Sequence, residues 1–446
     1  MNSHTGKKKE IVIIGGGFAG VNLAQKLARK NDYHITLVDR NNYNFFPPLI
    51  YQVATGFLEI SSISYPFRKL FRVKKNISFR LGEFIRLEPE SHTCYLDNGS
   101  IQYDYLVFAA GVETNYFGNE NIRKNAIPLK TVNDAARMRN FLLQSLEEAS
   151  RSHDAAEKRK LSTMVVAGGG PTGVEVSGML AELRKNILVK DYPELSRVMA
   201  NIYLVDGGRN LLAQMSNKSH REAYDALIRL GVKVKLNTTV KDFHDDQVFL
   251  SDGQVINSKN LVWAAGIIAE KFEGIPQKNL GRGNRMIADE YSKVQEVNDV
   301  YAIGDISIQF HDIKFPNGHP QLAQVAIQQG RKLAKNFTLI AKDKPMKPFR
   351  YNDEGSLAII GRYRAVADLF PSKFHVGGYL ALLIWLFIHL TSLVTVRNKF
   401  KTLSEWIIAY FTNDQALRMI VRPDNPIREK TKIPEKENSQ TEKVNI

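Results

Sequence analysis

The chain has 446 residues, one cysteine, and a formal charge of +15 from 61 basic and 46 acidic side chains. Apolar residues make up 43% and charged residues 24%, a globular balance that excludes a disordered or collagen-like chain and a polytopic membrane protein. The lone Cys94 excludes a disulfide scaffold, a redox cysteine pair and a zinc site built from several cysteines.

The excess of base fits nucleic acid, an anionic membrane surface or anionic ligands. No nucleic-acid-binding motif occurs, so no nucleic-acid partner is expected. The chain opens on a basic arm, Lys7-Lys8-Lys9, and then Ile11-Val12-Ile13-Ile14. Four apolar residues are too few for a secretory core; they predict a first β-strand, in a protein that stays in the compartment where it is made.

That strand runs into Gly15-Gly16-Gly17-Phe18-Ala19-Gly20 and a helical pattern. A second strand, Ile35-Thr36-Leu37-Val38-Asp39, ends in an acid. The same device recurs as Met164-Val165-Val166-Ala167, Gly168-Gly169-Gly170-Pro171-Thr172-Gly173, a helix, and Ile202-Tyr203-Leu204-Val205-Asp206. In this fingerprint the first glycine permits the turn, the second lets backbone approach a pyrophosphate, and the third lets helix pack on strand. The acid bonds a ribose hydroxyl, and the helix N-terminus favours the phosphates. Asp206 suits a free 2′-hydroxyl, so NADH is expected over NADPH, although Arg209 lies three residues on. Two further strand ends are near-duplicates: Tyr105-Leu106-Val107-Phe108-Ala109-Ala110-Gly111 and Leu261-Val262-Trp263-Ala264-Ala265-Gly266. Their small residues leave room for a ligand. Then Val300-Tyr301-Ala302-Ile303-Gly304-Asp305 brings another acid to a strand end.

These spacings predict an α/β fold with two Rossmann-like dinucleotide-binding domains. Residues 1–125 and 285–345 form the first, discontinuous unit and 160–275 the second. Residues 346–422 form a C-terminal element, and the polar 423–446 a disordered tail. Glu175, on the first turn of the second nucleotide helix, complements the helix dipole on the residues alone. Gln324 and Gln328 are four apart and share a helix face. His311, His319 and His389 lack metal-ligand spacing, so they read as structural or surface histidines and no metal is expected.

No Asp, Glu, Lys or Arg occurs from 375 to 396, a run long enough to cross a membrane. Gly378, Ala381, His389, Ser392 and Thr395 instead give a smaller, more polar stripe suited to packing on the protein. Basic residues 397–401 follow, and Phe400, Leu403, Trp406, Ile407, Tyr410 and Phe411 recur with helical spacing. That pattern predicts an amphipathic helix on an anionic bilayer surface.

The order of these pieces resembles the two-dinucleotide-binding-domain flavoproteins, and among them the type II NADH dehydrogenases. The segment Asn41-Asn42-Tyr43-Asn44-Phe45-Phe46-Pro47-Pro48-Leu49-Ile50-Tyr51-Gln52-Val53-Ala54-Thr55-Gly56 carries the likeness. So do Ala323-Gln324-Val325-Ala326-Ile327-Gln328, similar to the family's quinone-site motif, and the C-terminal signature from Gly355 to Arg362 with Ala365-Val366-Ala367-Asp368. The resemblance implies non-covalent FAD on Gly15, Gly17, Gly20 and Asp39, with Asp305 at its ribityl chain and Thr55, Gly56, Ala110 and Gly111 nearby. It implies NADH on Gly168, Gly170, Gly173, Asp206 and Gly266. It also implies a proton route through Glu175, and a membrane quinone (menaquinone or ubiquinone) at Gln324 and Gln328. The activity implied is respiratory, non-proton-pumping NADH:quinone oxidoreduction by a monotopic protein on the cytoplasmic face of the inner membrane, with a homodimer left open. Sulfide:quinone and disulfide reductases share the fold but need paired cysteines. A ferredoxin-type reductase would leave the glutamine pair and apolar C-terminus unexplained. A membrane-bound flavin redox sensor is the alternative outside enzymes.

Overall fold

The computed structural model describes residues 8–28, 30, 32–195, 201–369, 374–412 and 417–421. Lys7 of the basic arm and the predicted tail, 423–446, lie outside the described residues. Ten strands build two central sheets. In chain order they are β1 (Lys9–Ile14), β2 (Tyr33–Asp39), β3 (Ile77–Leu81), β4 (Tyr105–Phe108), β5 (Ile127–Pro128), β6 (Met164–Ala167), β7 (Ile202–Val205), β8 (Val232–Lys235), β9 (Asn260–Trp263) and β10 (Val300–Ala302).

The first sheet runs β10-β4-β1-β2-β3 and the second β5-β9-β6-β7-β8, all parallel. The central strands are apolar and buried on both faces, β1 from Ile11 onward and β6 throughout, as helix-covered parallel sheets require. The duplication read from the glycine motifs is thus a duplication of topology. Even the crossover that leads into β4 in one half and β9 in the other repeats. Each half inserts an antiparallel meander there: Phe84–Glu88, Thr93–Leu96 and Gly99–Gln102 in one, Val240–His244, Gln247–Leu250 and Val255–Asn257 in the other. The second sheet takes its edge strand from Ile127–Pro128, ahead of the 160–275 range read from the sequence. A two-residue strand has too little periodicity to show there.

The main helices are α1 (Phe18–Leu27), α2 (Ile50–Ala54), α3 (Val132–Arg151), α4 (Pro171–Leu183), α5 (Asn217–Arg229), α6 (Ala323–Ile340), α7 (Gly378–Ser392) and α8 (Val396–Thr412). Helix α3 opens on a capping box, Thr131 with Asp134. Helices α1 and α6 lie close because Gly330 faces Ala19, where a Cβ would fall 2.4 Å from the Ala19 carbonyl oxygen.

The C-terminal element is an antiparallel sheet, β11 (Ser356–Ile359), β12 (Ala365–Leu369) and β13 (Phe374–Gly377), followed by α7 and α8. The apolar run 375–396 does not stay whole. It opens in β13, continues as the 15 residues of α7 and breaks at Leu393. Fifteen residues rise about 22 Å, short of a hydrocarbon core of about 30 Å. Among the described residues no helix is long and apolar enough to cross a membrane.

Helix α8 differs from the single apolar face expected of it. Asn398, Thr402, Trp406 and Ala409 face the protein, while Phe400, Leu403, Ile407, Ile408 and Phe411 face outward. The inward polar residues are satisfied: Asn398 Nδ2 donates to Ser62 O at 2.8 Å and Thr402 Oγ1 to the same oxygen at 3.2 Å.

Candidate functional site

Each glycine loop leaves the carboxyl end of its central strand and enters a helix N-terminus. Gly15 and Gly168 have φ of +103° and +110°, and a Cβ on either would meet the next strand's chain, Ala109 O at 2.5 Å or Ala264 O at 2.4 Å. On Gly20 and Gly173 a Cβ would strike the first glycine's carbonyl at 1.9 and 1.8 Å. These four positions exclude side chains for internal reasons. Gly17 and Gly170 differ: a Cβ there would meet nothing within 4 Å. The middle glycine of each loop faces open space, as a pyrophosphate requires. Neither α1 nor α4 carries an acidic residue in its first turn or a side-chain cap, so the end N–H groups stay available to an anion; because α4 begins at Pro171, Glu175 lies past the first turn predicted for it from the sequence.

The acids are placed alike. Asp39 accepts from Gly16 N–H and Asn41 N–H, both at 2.7 Å. Asp206 accepts from Gly169 N–H at 2.5 Å and Gly208 N–H at 2.7 Å. Each carboxylate fastens its loop and keeps lone pairs for ribose. Burial raises the pKa of Asp39, with the Asn41 and Gly16 N–H groups partly offsetting it.

Among the described residues only the first half brings a further acid to a strand end. The strand after β10 turns at Gly304 (φ +76°) and presents Asp305. Burial raises the Asp305 pKa, and the nearby Lys130 and Arg285 cations oppose the rise. The turn is held by Gln329, whose Oε1 accepts the Gly304 N–H at 2.6 Å while Nε2 donates to Gln309 Oε1 at 3.2 Å. Gln329 lies off the α6 face that Gln324 and Gln328 share. The structure buries it where α6 meets the Gly304 turn, and its amide sets the turn that presents Asp305. Lys130 and Arg285 were also missed, since neither sits in a recognisable motif. Thr55 donates to Tyr51 O at 2.9 Å and caps α2; Gly56 follows at φ +74°. Ala110 packs on Gly15, and Gly111 stands in open space. The first half therefore fits a large resident dinucleotide such as FAD: an open middle glycine, a ribose acid, an uncovered Gly111 and a second acid near two cations.

Glu175 lies where three parts of the chain meet. It is buried on α4, accepts a backbone N–H from Ile359 of β11, and faces Tyr51 of α2. Burial raises its pKa well above the usual carboxyl range, and the Ile359 N–H only partly offsets this. From Tyr51 a polar line continues outward: Gln52 Nε2 donates to Tyr51 Oη at 3.1 Å, and Trp406 Nε1 of α8 donates to Gln52 Oε1 at 2.8 Å. Gln52 was unassigned from sequence, though an amide inside an apolar run is a signal.

Gln324 and Gln328 do share one face of α6, but both ends of each amide are engaged. Gln324 donates to Gly355 O at 2.9 Å and accepts from Glu354 N–H at 3.0 Å. Gln328 donates to Asn352 O at 2.8 Å and accepts from Asn352 N–H at 3.0 Å. Together they strap the 352–355 segment to the helix. Gly266 ends the second half's strand beneath the ring of Phe117. His319 and Asp312 pair at 3.1 Å and His311 bonds Phe349 O at 2.6 Å, both structural. His389 is half-buried, bonds Trp385 O at 2.8 Å, and has its pKa pushed down to about 4 by desolvation of the ring.

The sequence profile of the pyridine nucleotide-disulphide oxidoreductases matches residues 9–330, and that of the NDH2 C-terminal domain matches 354–413. The chain is 33% identical to the type II NADH:quinone oxidoreductase Ndh of Mycobacterium tuberculosis, over 91% of this chain and 89% of that one. It is 30% identical to a mitochondrial internal alternative NAD(P)H-ubiquinone oxidoreductase of Arabidopsis thaliana, over 91% and 84%. Its fold matches that of NDH2 from Plasmodium falciparum in complex with NADH, with a TM-score of 0.85 at 20% identity, covering 93% of this chain and all (100%) of that one. Doubled cradles, a C-terminal sheet with two outward-apolar helices, and likenesses that reach over 91% of the chain place it in the type II NADH:quinone oxidoreductase family.

Proposed function

We infer that this protein is a non-proton-pumping NADH:quinone oxidoreductase, working as a monotopic protein on the cytoplasmic face of an inner membrane. The observation that carries the reading is the doubled open-glycine cradle, of which only the first is backed by Asp305. That asymmetry suits a resident FAD in one half and an exchanging NADH in the other. Bound flavin would supply the redox chemistry, taking a hydride from NADH and passing two electrons to a quinone.

The residues have distinct tasks. Gly15, Gly17, Gly20 and Asp39 hold the flavin's pyrophosphate and adenosine ribose; Asp305 meets its ribityl chain, beside Thr55, Gly56, Ala110 and Gly111. Gly168, Gly170, Gly173, Asp206 and Gly266 hold NADH, and the carboxylate of Asp206 favours a free 2′-hydroxyl over a 2′-phosphate. Glu175, whose carboxyl burial favours in its protonated form, would donate and regain a proton at the junction of the halves, with Tyr51 and Gln52 leading toward α8. Gln324 and Gln328 act on the quinone side. A quinone carbonyl would take over an amide N–H now given to 352–355, so their effect combines direct bonding with setting of that strap. The outward aromatic and aliphatic side chains of α7 and α8, beside Arg397 and Lys399, support an in-plane membrane contact.

The test is the visible spectrum of the purified protein. Flavin bands should bleach with NADH and return with a quinone; bands that stay bleached in quinone would favour the redox-sensor alternative. Gln324→Leu and Gln328→Leu should leave bleaching by NADH near the wild-type rate and slow reoxidation about tenfold per 1.4 kcal/mol of lost stabilisation. Slow bleaching with normal reoxidation would reverse this division of the sites.

A further inference from the structure

The two cradles are close copies, so their differences carry information. One lies at the strand end on the side away from the ribose acid. In the first half the chain after β4 reaches Gly111, φ +73°, where a Cβ would meet nothing within 4 Å. The matching point in the second half is Gly266, after β9, where a Cβ would lie 2.7 Å from Cζ of Phe117. The ring of Phe117 thus rests on the backbone at the mouth of the second cradle.

The chain is built to hold it there. Phe117 takes a left-handed φ of 52°, disfavoured for a bulky side chain, and yet stays 67% exposed. Its N–H donates to Asn115 Oδ1 at 2.8 Å. The Asn115 N–H donates to Gly266 O at 3.0 Å, and the buried Trp263 Nε1 donates to Asn115 O at 2.8 Å. The loop is pinned to the strand whose end it covers, and none of these bonds buries the ring. A backbone outlier over-determined by its surroundings points to a task other than folding.

Topology says what passes beneath it. The ribose acid marks the adenosine end of a dinucleotide and the middle glycine its pyrophosphate. Asp206 follows β7 on one side of β6, Gly170 follows β6, and Gly266 follows β9 on the other side. A dinucleotide laid from Asp206 across Gly170 brings its nicotinamide riboside half to Gly266. We propose that Phe117 is a movable aromatic lid that packs against the nicotinamide riboside half of NADH and sets its affinity. A resident flavin leaves Gly111 uncovered; a substrate that enters and leaves needs a side chain that swings aside and closes, as an exposed ring does on a fast timescale. The proposal rests on the reading of the second cradle as the NADH site.

The test is calorimetric binding of NAD⁺ and of ADP to the flavin-loaded protein, in wild type, Phe117→Ala and Phe117→Tyr. ADP carries the adenosine half without nicotinamide riboside. Phe117→Ala should weaken NAD⁺ by about tenfold, the scale of one lost aromatic contact, and leave ADP within about twofold. Phe117→Tyr should restore NAD⁺. The NADH concentration for half-maximal flavin reduction should rise in parallel, with reoxidation by a soluble quinone unchanged. Unaltered NAD⁺ affinity in Phe117→Ala, an equal loss for NAD⁺ and ADP, or no recovery in Phe117→Tyr each overturns the lid alone. A wild type that binds neither nucleotide overturns the reading of the second cradle, and the lid with it.

Discussion

Glu175 is a carboxyl whose pKa in the folded protein is raised by burial. Between the usual carboxyl range, near 4.5, and its folded pKa, the native state holds one proton more than the unfolded chain. Stability therefore falls as pH rises through that window, by about 1.4 kcal/mol per pH unit from this group. Glu175→Gln should flatten the decline: melting temperatures near wild type at pH 4 and above it at pH 8. The same variant should change the pH dependence of quinone turnover if the proton serves the reaction. A wild-type pH profile in both measurements would place the carboxyl outside the proton route. Gln329 makes a different residue-scale prediction. Gln329→Leu leaves the buried Gly304 N–H without its acceptor, at about 1–3 kcal/mol, and loosens the turn presenting Asp305. Flavin retention on dilution should fall between roughly fivefold and a hundredfold; full retention would show that Asp305 holds its place without the amide.

At the scale of elements, α5 is tied to the C-terminal sheet by a cluster of groups. Asp368 of β12 accepts from Ser216 N–H at 2.6 Å, Ser216 Oγ at 2.8 Å and Ser219 Oγ at 3.0 Å. His375 of β13 lies between Asp368 at 3.0 Å and Glu222 at 2.8 Å. Burial works against the His375 proton, but the Glu222 and Asp368 carboxylates outweigh it and raise its pKa above 6.5. The clamp is fully present below that value and weakens as pH rises through the folded pKa. His375→Gln should lower stability at pH 6 and approach wild type at pH 9 by calorimetry; a pH-independent loss would mean that shape, not charge, joins the two elements.

At the scale of the whole molecule, one core cluster joins the second half, the C-terminal sheet and helices, and the Phe46–Leu58 segment of the first half. Trp385, Leu382 and Trp406 pack in the same cluster as Phe46–Leu58 residues of the flavin side and Val174, Val176 and Met179 of α4. Removing α7 and α8 would therefore disturb the site as well as the proposed membrane contact. The outward face isolates the second effect. Phe400 and Phe411 are 70% and 84% exposed, so Phe400→Glu with Phe411→Glu leaves the core untouched. Losing two phenylalanine insertions of about 1.5–3 kcal/mol each should reduce binding to anionic vesicles by at least about a hundredfold, with flavin content and NADH bleaching unchanged. Wild-type vesicle binding would move the membrane contact elsewhere.

The sequence alone determined what depends on local backbone needs. Glycines at Gly15, Gly20, Gly168 and Gly173 are demanded by left-handed turns and sub-contact approaches within a few residues, and Asp39 and Asp206 follow a strand pattern that repeats. These disclose two nucleotide cradles, and the apolar runs at the C-terminus disclose a separate apolar helical element. What only the tertiary structure decided is how side chains far apart in sequence share one place. Gln329 holds Gly304, Gln324 and Gln328 engage 352–355, and Glu175 meets Ile359 and Tyr51 because α4, α6 and β11 pack together. The inward and outward faces of α8 were equally hidden. A period of 3.6 residues is visible in a sequence, but whether an apolar stripe faces protein or lipid depends on where polar Asn398 and Thr402 find partners, and those lie in residues 62–64 of the other end of the chain.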